Sequence, residues 1–405
     1  MTGRVSADGM RGWPRADGRK GIRNLVAVGY LVECAHHVAR EIALPMREEG
    51  VHVIGFPGCY PNAYAERMME ALCTHPNVGA VLLVSLGCES FDKWGLERAV
   101  RASGRPVRTI VIQGTGGTRA SIAEGRAWVA ERKAELDAMP TVPMRADELI
   151  VGTVCGGSDG TSGITGNPAA GRAFDRLVAL GAACIFEETG ELIGCEHIMA
   201  ARAATPELGV ELEASVAKAA QYYATLGYGS FASGNADGGL STIEEKSMGA
   251  YAKSGASPIV GLLKPGDRPT RGGLYLLDVV PDGEVRFGFP NINDNAEIAE
   301  LIACGSHVVL FVTGRGSVVG SAISPVVKIC ANPETYRRMS DDMDVDAGQI
   351  LEGTATLDAV GDEILGVVLG LARGGRTRSE ELGHQEFILT YKSFEPIGPA
   401  CLPAA

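Results

Sequence analysis

Four apolar runs of this chain close on a cysteine: "VAVGYLVEC" on Cys34, "VHVIGFPGC" on Cys59, "VLLVSLGCES" on Cys88 with Glu89 beside it, and "LIVGTVCGGSDG" on Cys155. Thiolates suit iron and iron–sulfur chemistry, and a carboxylate can join them. The four are 25, 29 and 67 residues apart and form no CxxC pair, so the residues leave two readings open. Buried cysteine behaves as a small hydrophobe. Four at the same place relative to their strands instead converge wherever those strand ends converge. Cys73, Cys184, Cys304 and Cys330 fall inside helices or strands and read as core, and Cys401 as a tail residue.

The loop "GGSDGTSGITGNPAAGRAF", residues 156–174, is the richest in backbone amides and hydroxyls. Ser158, Asp159, Thr161, Ser162 and Thr165 precede a helix whose N-cap is expected at Asn167, with Pro168 in its first turn. A glycine-rich loop before a helix N-terminus suits an anion. "FEETGELIGCEH" brings Glu187, Glu188, Glu191, Glu196 and His197 just past a strand, as general bases or hard ligands or as a solvated first turn. In "GNADGGLSTIEEKSMG", overlapping capping boxes account for Glu244 and Glu245; Asn235 lies in its glycine turn, and Lys246 has no capping role and could meet a carboxylate or act as a base. "VVLFVTGRGS" ends a strand at Thr313 and Arg315, the latter suited to bidentate carboxylate binding. "SDDMDVDAG" fails as a calcium loop because Ala347 and Gly353 stand where a glycine and a glutamate belong. "VIQGTGGTRA" lacks the last glycine of a dinucleotide fingerprint, so no nicotinamide cofactor is expected.

These groups need elements to position them. Over residues 24–155, β-branched runs ("NLVAVGYLV", "VHVIGF", "VGAVLLVSL", "VRTIVIQ", "ELIVGTV") alternate with helical stretches ("PNAYAERMMEALCTH", "GTRASIAEGRAWVAERKAELDAM"). That pattern predicts βαβ units, and uniformly apolar strands predict burial on both faces. A break at "DAMPTVPMRADE" is followed by further strands ("GAACIFEE", "GGLYLLDV", "SHVVLFVTGRG") and the helix "ATLDAVGDEILGVVLGLA". The expected fold is α/β, two doubly wound, mostly parallel lobes: an N-terminal extension over 1–20, a first lobe over 21–146 and a second, substrate-binding lobe over 147–405. The site belongs at the carboxyl ends of the strands near the lobe interface.

Composition narrows the partners. The 405 residues are 45% hydrophobic and 21% charged, with 37 Lys and Arg against 49 Asp and Glu, a net charge of −12. Such a balance disfavours nucleic acid and anionic membrane. The first residues lack a secretion signal's apolar core, and no run reaches the roughly 20 apolar residues of a membrane span. A cytoplasmic protein is expected, its thiols free of structural disulfides.

Taken in order, "DGRKGIRN", the strand-end cysteines, "CGGSDGTSGITGNPAAG", "EETGELIGCE", "GGLSTIEEKSMG", "FVTGRGS" and "DDMDVDAGQI" resemble the altronate and galactarate dehydratase family, over residues 12 to 380. The resemblance implies a hydro-lyase acting on a small anionic sugar acid, and some relatives are sulfolactate sulfo-lyases that expel sulfite. It also implies a divalent metal, iron as Fe2+ or in an iron–sulfur cluster, or Mn2+. The strand ends would supply its ligands: Cys34, Cys59 and Cys88, with Cys155 or Glu89 as the fourth. Lys246, Arg315 and the loop residues Ser158, Asp159, Ser162, Thr165 and Asn167, with Asn235 and Thr313, would hold the substrate, and His197 or Glu188 would be the base. Family members often carry a small SAF domain, so a separate small subunit is expected, along with a homo-oligomer. "NADGG", "FPNIND" and the tail "GHQEFILTYKSFEPIG" depart from the family pattern and leave the substrate open. The other reading is a non-catalytic sugar-acid-binding subunit.

Overall fold

The computed structural model describes residues 8–187, 189–226, 231–282 and 293–389. Four of the apolar runs form strands β1 (Leu25–Tyr30), β2 (Val51–Gly55), β3 (Val78–Ser85) and β4 (Val107–Val111), each followed by a helix: α1 (Glu33–Ala43), α2 (Ala63–Cys73), α3 (Lys93–Ala102) and α4 (Thr118–Asp137). All pairings are parallel, in the order β2-β1-β3-β4. Every residue of β3 is buried, because helices cover both faces. Val26, Val28, Leu82 and Val84 pack with Val38 and Ile42 of α1 and Val129 of α4. Ala27, Val81 and Leu83 pack with Met68 and Leu72 of α2 and Leu96 of α3. Asn62 and Asp92 start α2 and α3 by accepting from the amides of Ala65 (2.9 Å) and Gly95 (2.8 Å), the role short polar side chains play at a helix start.

The second sheet has seven strands: β5 (Ile150–Cys155), β6 (Ala183–Phe186), β7 (Ile259–Leu263), β8 (Gly273–Leu277), β9 (Val308–Thr313), β10 (Val326–Cys330) and β11 (Val345–Asp346). It too is wholly parallel, ordered β7-β8-β6-β5-β9-β10-β11. Its main helices are α5 (Gly166–Ala179), α6 (Pro206–Leu226), α7 (Ile243–Tyr251), α8 (Asp294–Ala303) and α9 (Leu357–Leu371). The doubly wound parallel architecture expected from the sequence is therefore present. β7, β10, β11 and α6 are additions to it. The "LIVGTVC" strand belongs to this larger sheet.

The two sheets share a core. Met68 and Leu72 of α2, Ile298, Leu301 and Ile302 of α8, and Val154, Ile185, Val309 and Phe311 of the larger sheet form one buried cluster with β3. A small antiparallel sheet of Arg11–Pro14, Lys20–Gly21 and Val142–Pro143 adds a tie between the chain start and the segment joining the lobes. Arg11 also donates its amide to Ala372 O at 3.0 Å, so the described part of the N-terminal stretch is woven into the molecule. No helix among the described residues is long and apolar enough to cross a membrane.

In the larger sheet the chain leaves β5 toward β6 on one side and later enters β9 on the other. The crevice beyond the carboxyl ends of β5 and β9 is thus the switch point, where open α/β sheets hold ligands. The smaller sheet has its own switch point between β1 and β3.

Candidate active site

Cys155 ends β5 and Thr313 ends β9. Past them the ladder continues briefly: Gly156 donates to Val312 O at 3.0 Å, and the amides of Gly314 and Arg315 donate to Gly157 O at 3.2 and 3.0 Å. The loop after Cys155 then folds around Asp159, whose carboxylate accepts from Thr161 N (2.9 Å), Thr161 Oγ1 (2.6 Å), Ser162 N (3.2 Å) and Asn332 Nδ2 (3.0 Å). Ser162 Oγ in turn accepts from Asp159 N at 3.1 Å, and Thr165 Oγ1 donates to Ala331 O at 2.7 Å. Much of the loop's polar inventory therefore shapes the loop. α5 begins at Gly166, so Asn167 lies inside the first turn and is not the cap; it is buried, and its Oδ1 has no hydrogen-bond partner among the described residues.

Beneath this loop is a compact charged group. Cys155 Sγ is 3.1 Å from Lys253 Nζ, 3.2 Å from Glu191 Oε2 and 3.4 Å from Ser158 Oγ. The other oxygen of Glu191 pairs with Lys246 Nζ. Lys253 is 1% exposed and Lys246 8%, unusual for lysine unless paired. Local structure explains both placements. Thr242 caps α7 through Glu245 N (3.1 Å), while Glu245 reaches back to Ser241 N (2.7 Å) and Oγ (2.6 Å), leaving Lys246 one turn in and facing inward. Lys253 sits in the turn Ala252–Ser254 after α7, which lies against α5 at Gly171. There a Cβ would come within 2.8 Å of Gly255 N and closer still to Ala252 O.

Asp294 completes the group from α8, whose N-cap Asn293 accepts from Ala296 N at 3.0 Å. Its carboxylate lies over Gly156, where any Cβ would collide with it and with the Phe311 ring. Burial first, and then the negative charge of Glu191, push the Asp294 carboxyl up to about 6, against the opposing pull of Lys246 and Lys253.

The other expected site residues are more scattered. Glu188 lies outside the described residues. His197 is exposed on the short helix Glu196–Ala200. Arg315 is exposed, its guanidinium donating to Gly234 O. Asn235 is buried and links two segments, donating to Ser158 O at 3.3 Å and accepting from Ala232 N at 2.9 Å. Thr313 Oγ1 accepts from Gly316 N at 3.0 Å.

Cys34, Cys59 and Cys88 are exposed at the carboxyl edge of the smaller sheet, whereas Cys155 is buried in the larger one. Glu89 is buried and bonds to Ser85 Oγ and Gly87 N (2.8 Å), closing the turn after β3. The Cys155 sulfur is held by the Lys253 ammonium and the Ser158 hydroxyl at the end of β5. Among the described residues, no three His, Cys, Asp or Glu side chains are grouped as metal ligands, and the expected set does not fit a metal as one assembled site. Cys73, Cys184, Cys304 and Cys330 are buried as expected, and burial pushes the thiols of Cys73 and Cys304 up to about 12. Among the described residues, no two cysteines are joined by a disulfide.

Residues 146–394 match the family described as D-galactarate/Altronate dehydratase, C-terminal, and residues 12–137 match D-galactarate dehydratase/Altronate hydrolase, second domain. The chain belongs to the galactarate/altronate dehydratase family. It is similar to the (2R)-sulfolactate sulfo-lyase subunit beta of Chromohalobacter salexigens, 33% identical over 94% of this chain and 96% of that one. It is also similar to the altronate dehydratase of Escherichia coli, 30% identical over 93% of this chain and 76% of that one. The galactarate dehydratase (L-threo-forming) of Escherichia coli is 32% identical over 78% of this chain and 61% of its own. Lys253 and Asp294 escaped the sequence reading, and Glu191 was read there only as one of several acids after a strand.

Proposed function

We propose that this chain is a carbon–oxygen lyase that removes water from a sugar acid, an aldonate or aldarate such as altronate or galactarate, to give a 2-keto-3-deoxy acid. The observation that carries the reading is the family match over the whole larger lobe, shared with dehydratases of two different sugar acids. The chemistry agrees with the residues at the β5–β9 switch point. Taking a weakly acidic proton beside a carboxylate demands positive charge near that carboxylate and a base at the carbon. Lys246 and Lys253 bring ammonium groups into a buried setting, where a charge acts strongly. Arg315, exposed near the end of β9, would meet the substrate's far end.

A second reading has its own support: the sulfo-lyase subunit matches over nearly all of both chains, while the dehydratases are longer. On that reading the leaving group is sulfite, and a partner subunit is needed. Purified protein offered altronate, galactarate and sulfolactate separates the two. Keto-acid formation without sulfite supports dehydration, and sulfite release from sulfolactate alone supports the second reading.

Dependence on Fe2+, an iron–sulfur cluster or Mn2+ belongs to the proposal through the family resemblance. Metal and acid-labile sulfide per chain, measured after purification without oxygen, test it. Stoichiometric iron with activity restored by Fe2+ after chelation is the expected result, and full activity in metal-free protein removes the metal from the proposal.

A further inference from the structure

Lys253 lies beyond the end of α7, so that helix does not fix it. It sits in the turn Ala252–Ser254, between α7 and β7. Its ammonium nevertheless stands in the buried group, 3.1 Å from Cys155 Sγ, and its charge acts on the Asp294 carboxyl. A lysine carries a strongly hydrated head on a flexible four-carbon stem, which reaches for water wherever the backbone allows. Keeping it buried requires a turn that does not shift.

Two side chains from other elements grip that turn. Arg202 lies just past the short helix Glu196–Ala200. Its Nη1 donates to Ser254 Oγ at 2.9 Å, and its Nη2 donates to Ser257 O at 2.8 Å and Ser254 O at 3.3 Å. Its guanidinium carbon stands 5.1 Å from the centroid of the Tyr251 ring, where a cation over an aromatic face is attracted. One planar fork therefore holds residues on both sides of Lys253. A lysine there would bring the same charge on a single nitrogen. Asp175, on α5, holds the far end of the turn: its Oδ1 accepts from Ala256 N at 2.9 Å, Ser257 N at 2.9 Å and Ser257 Oγ at 2.7 Å. Arg202 is itself fixed to the sheet, because Ile259 N donates to Arg202 O at 2.9 Å and Ala204 N to Ile259 O at 2.8 Å. The position of Lys253 is thus referred to β7 and α5 as well as to α7.

We propose that Arg202 is a positioning residue that acts through Lys253, by fixing the turn that presents the Lys253 ammonium to the buried group at the end of β5. What Lys253 does there rests on the hydro-lyase reading; how it is held does not. On that reading a substrate carboxylate meets ammonium groups from α7 and from the turn after it, and a misplacement of about 1 Å costs up to about 10²-fold in rate.

Kinetics and crystallography on the full-length protein test this. With an acid that the wild type dehydrates, R202M lowers kcat about 10- to 100-fold, and R202K, which keeps the charge but not the fork, recovers part of the loss. R23M controls for lost stability: Arg23 pairs with both oxygens of Glu380, at 2.6 and 2.9 Å, so its loss lowers the melting temperature and leaves kcat unchanged. The deciding measurement is the double variant. R202M/K253M is expected to be no slower than K253M alone, because residues that act as a unit are not additive. A merely structural arginine slows K253M by the same factor as it slows the wild type.

That additivity, or a folded R202M within about twofold of wild-type kcat, overturns the proposal and leaves the dehydratase reading intact. A wild type that turns over no acid overturns the functional reading instead, and the crystal structure of R202M then decides the clamp. Lys253 Nζ displaced from its place beside Cys155 Sγ supports it, and an unmoved Nζ overturns it.

Discussion

At the scale of single residues, Asp294 is the group whose titration the structure predicts with a definite sign. Burial and the Glu191 charge raise its carboxyl to about 6 in the folded chain, against about 3.9 for an unfolded aspartate. Below pH 4 both states are protonated and the site costs nothing. Between 4 and 6 the folded chain holds a proton that the unfolded chain has lost, and above 6 the folded carboxylate carries the whole cost of its surroundings. The stability given by the protonated form is therefore lost as the pH rises through 6. Asp294→Asn should stabilise the protein by up to about 3 kcal/mol at pH 8 and not at all at pH 4. Urea unfolding at the two pH values checks this, and equal gains at both would place the carboxyl outside the charged group. Lys246→Met makes the opposite prediction: it strands Glu191 beside Asp294, and breaking such a pair by removing one partner costs about 3 kcal/mol, visible in the same unfolding curves at pH 7.

At the scale of elements, the strands that are continuous apolar runs were legible because burial on both faces demands such runs, and β1, β3, β5 and β9 are examples. The strand-end position of Cys155 was legible for the same reason. What surrounds it was not. Lys253 is 98 residues away in the chain and sits in "AYAKSGAS", which reads as an ordinary helix end with an exposed lysine. Asp294 follows a capping asparagine and reads as a first-turn acid serving the helix dipole. Both acquire their neighbours only from the way α7 and α8 are laid on the sheet, a long-range property without local pattern. The one local trace is Gly171, on the face of α5 that must accept the backbone of the turn carrying Lys253. Gly171→Ala adds a methyl where backbone atoms already stand, so the turn must move away. Overpacking of this kind costs about 1–3 kcal/mol, and here it also lengthens the Lys253–Cys155 contact. Thermal melting should show the loss, and kcat should fall in the same variant; a melting change alone would detach the turn from the chemistry.

At the scale of the whole molecule, the charge balance decides how substrate arrives. The chain carries a net charge of −12, so an anionic sugar acid is repelled until it enters the crevice at β5 and β9, where Lys246 and Lys253 lie. Those lysines are largely paired with Glu191 and Cys155, so their field is short-ranged. Repulsion by the surface acts over a Debye length, which shrinks from about 30 Å at 0.01 M salt to about 8 Å at 0.15 M, while buried contacts are screened far less. Raising the salt should therefore raise kcat/KM, by about 2- to 10-fold for a dicarboxylate such as galactarate and by less for a monocarboxylate such as altronate, with kcat unchanged in both. A fall in kcat/KM with salt would mean that the positive site reaches further into solvent than the paired lysines allow, and would place unpaired cationic groups, Arg315 foremost, at the entrance to the crevice.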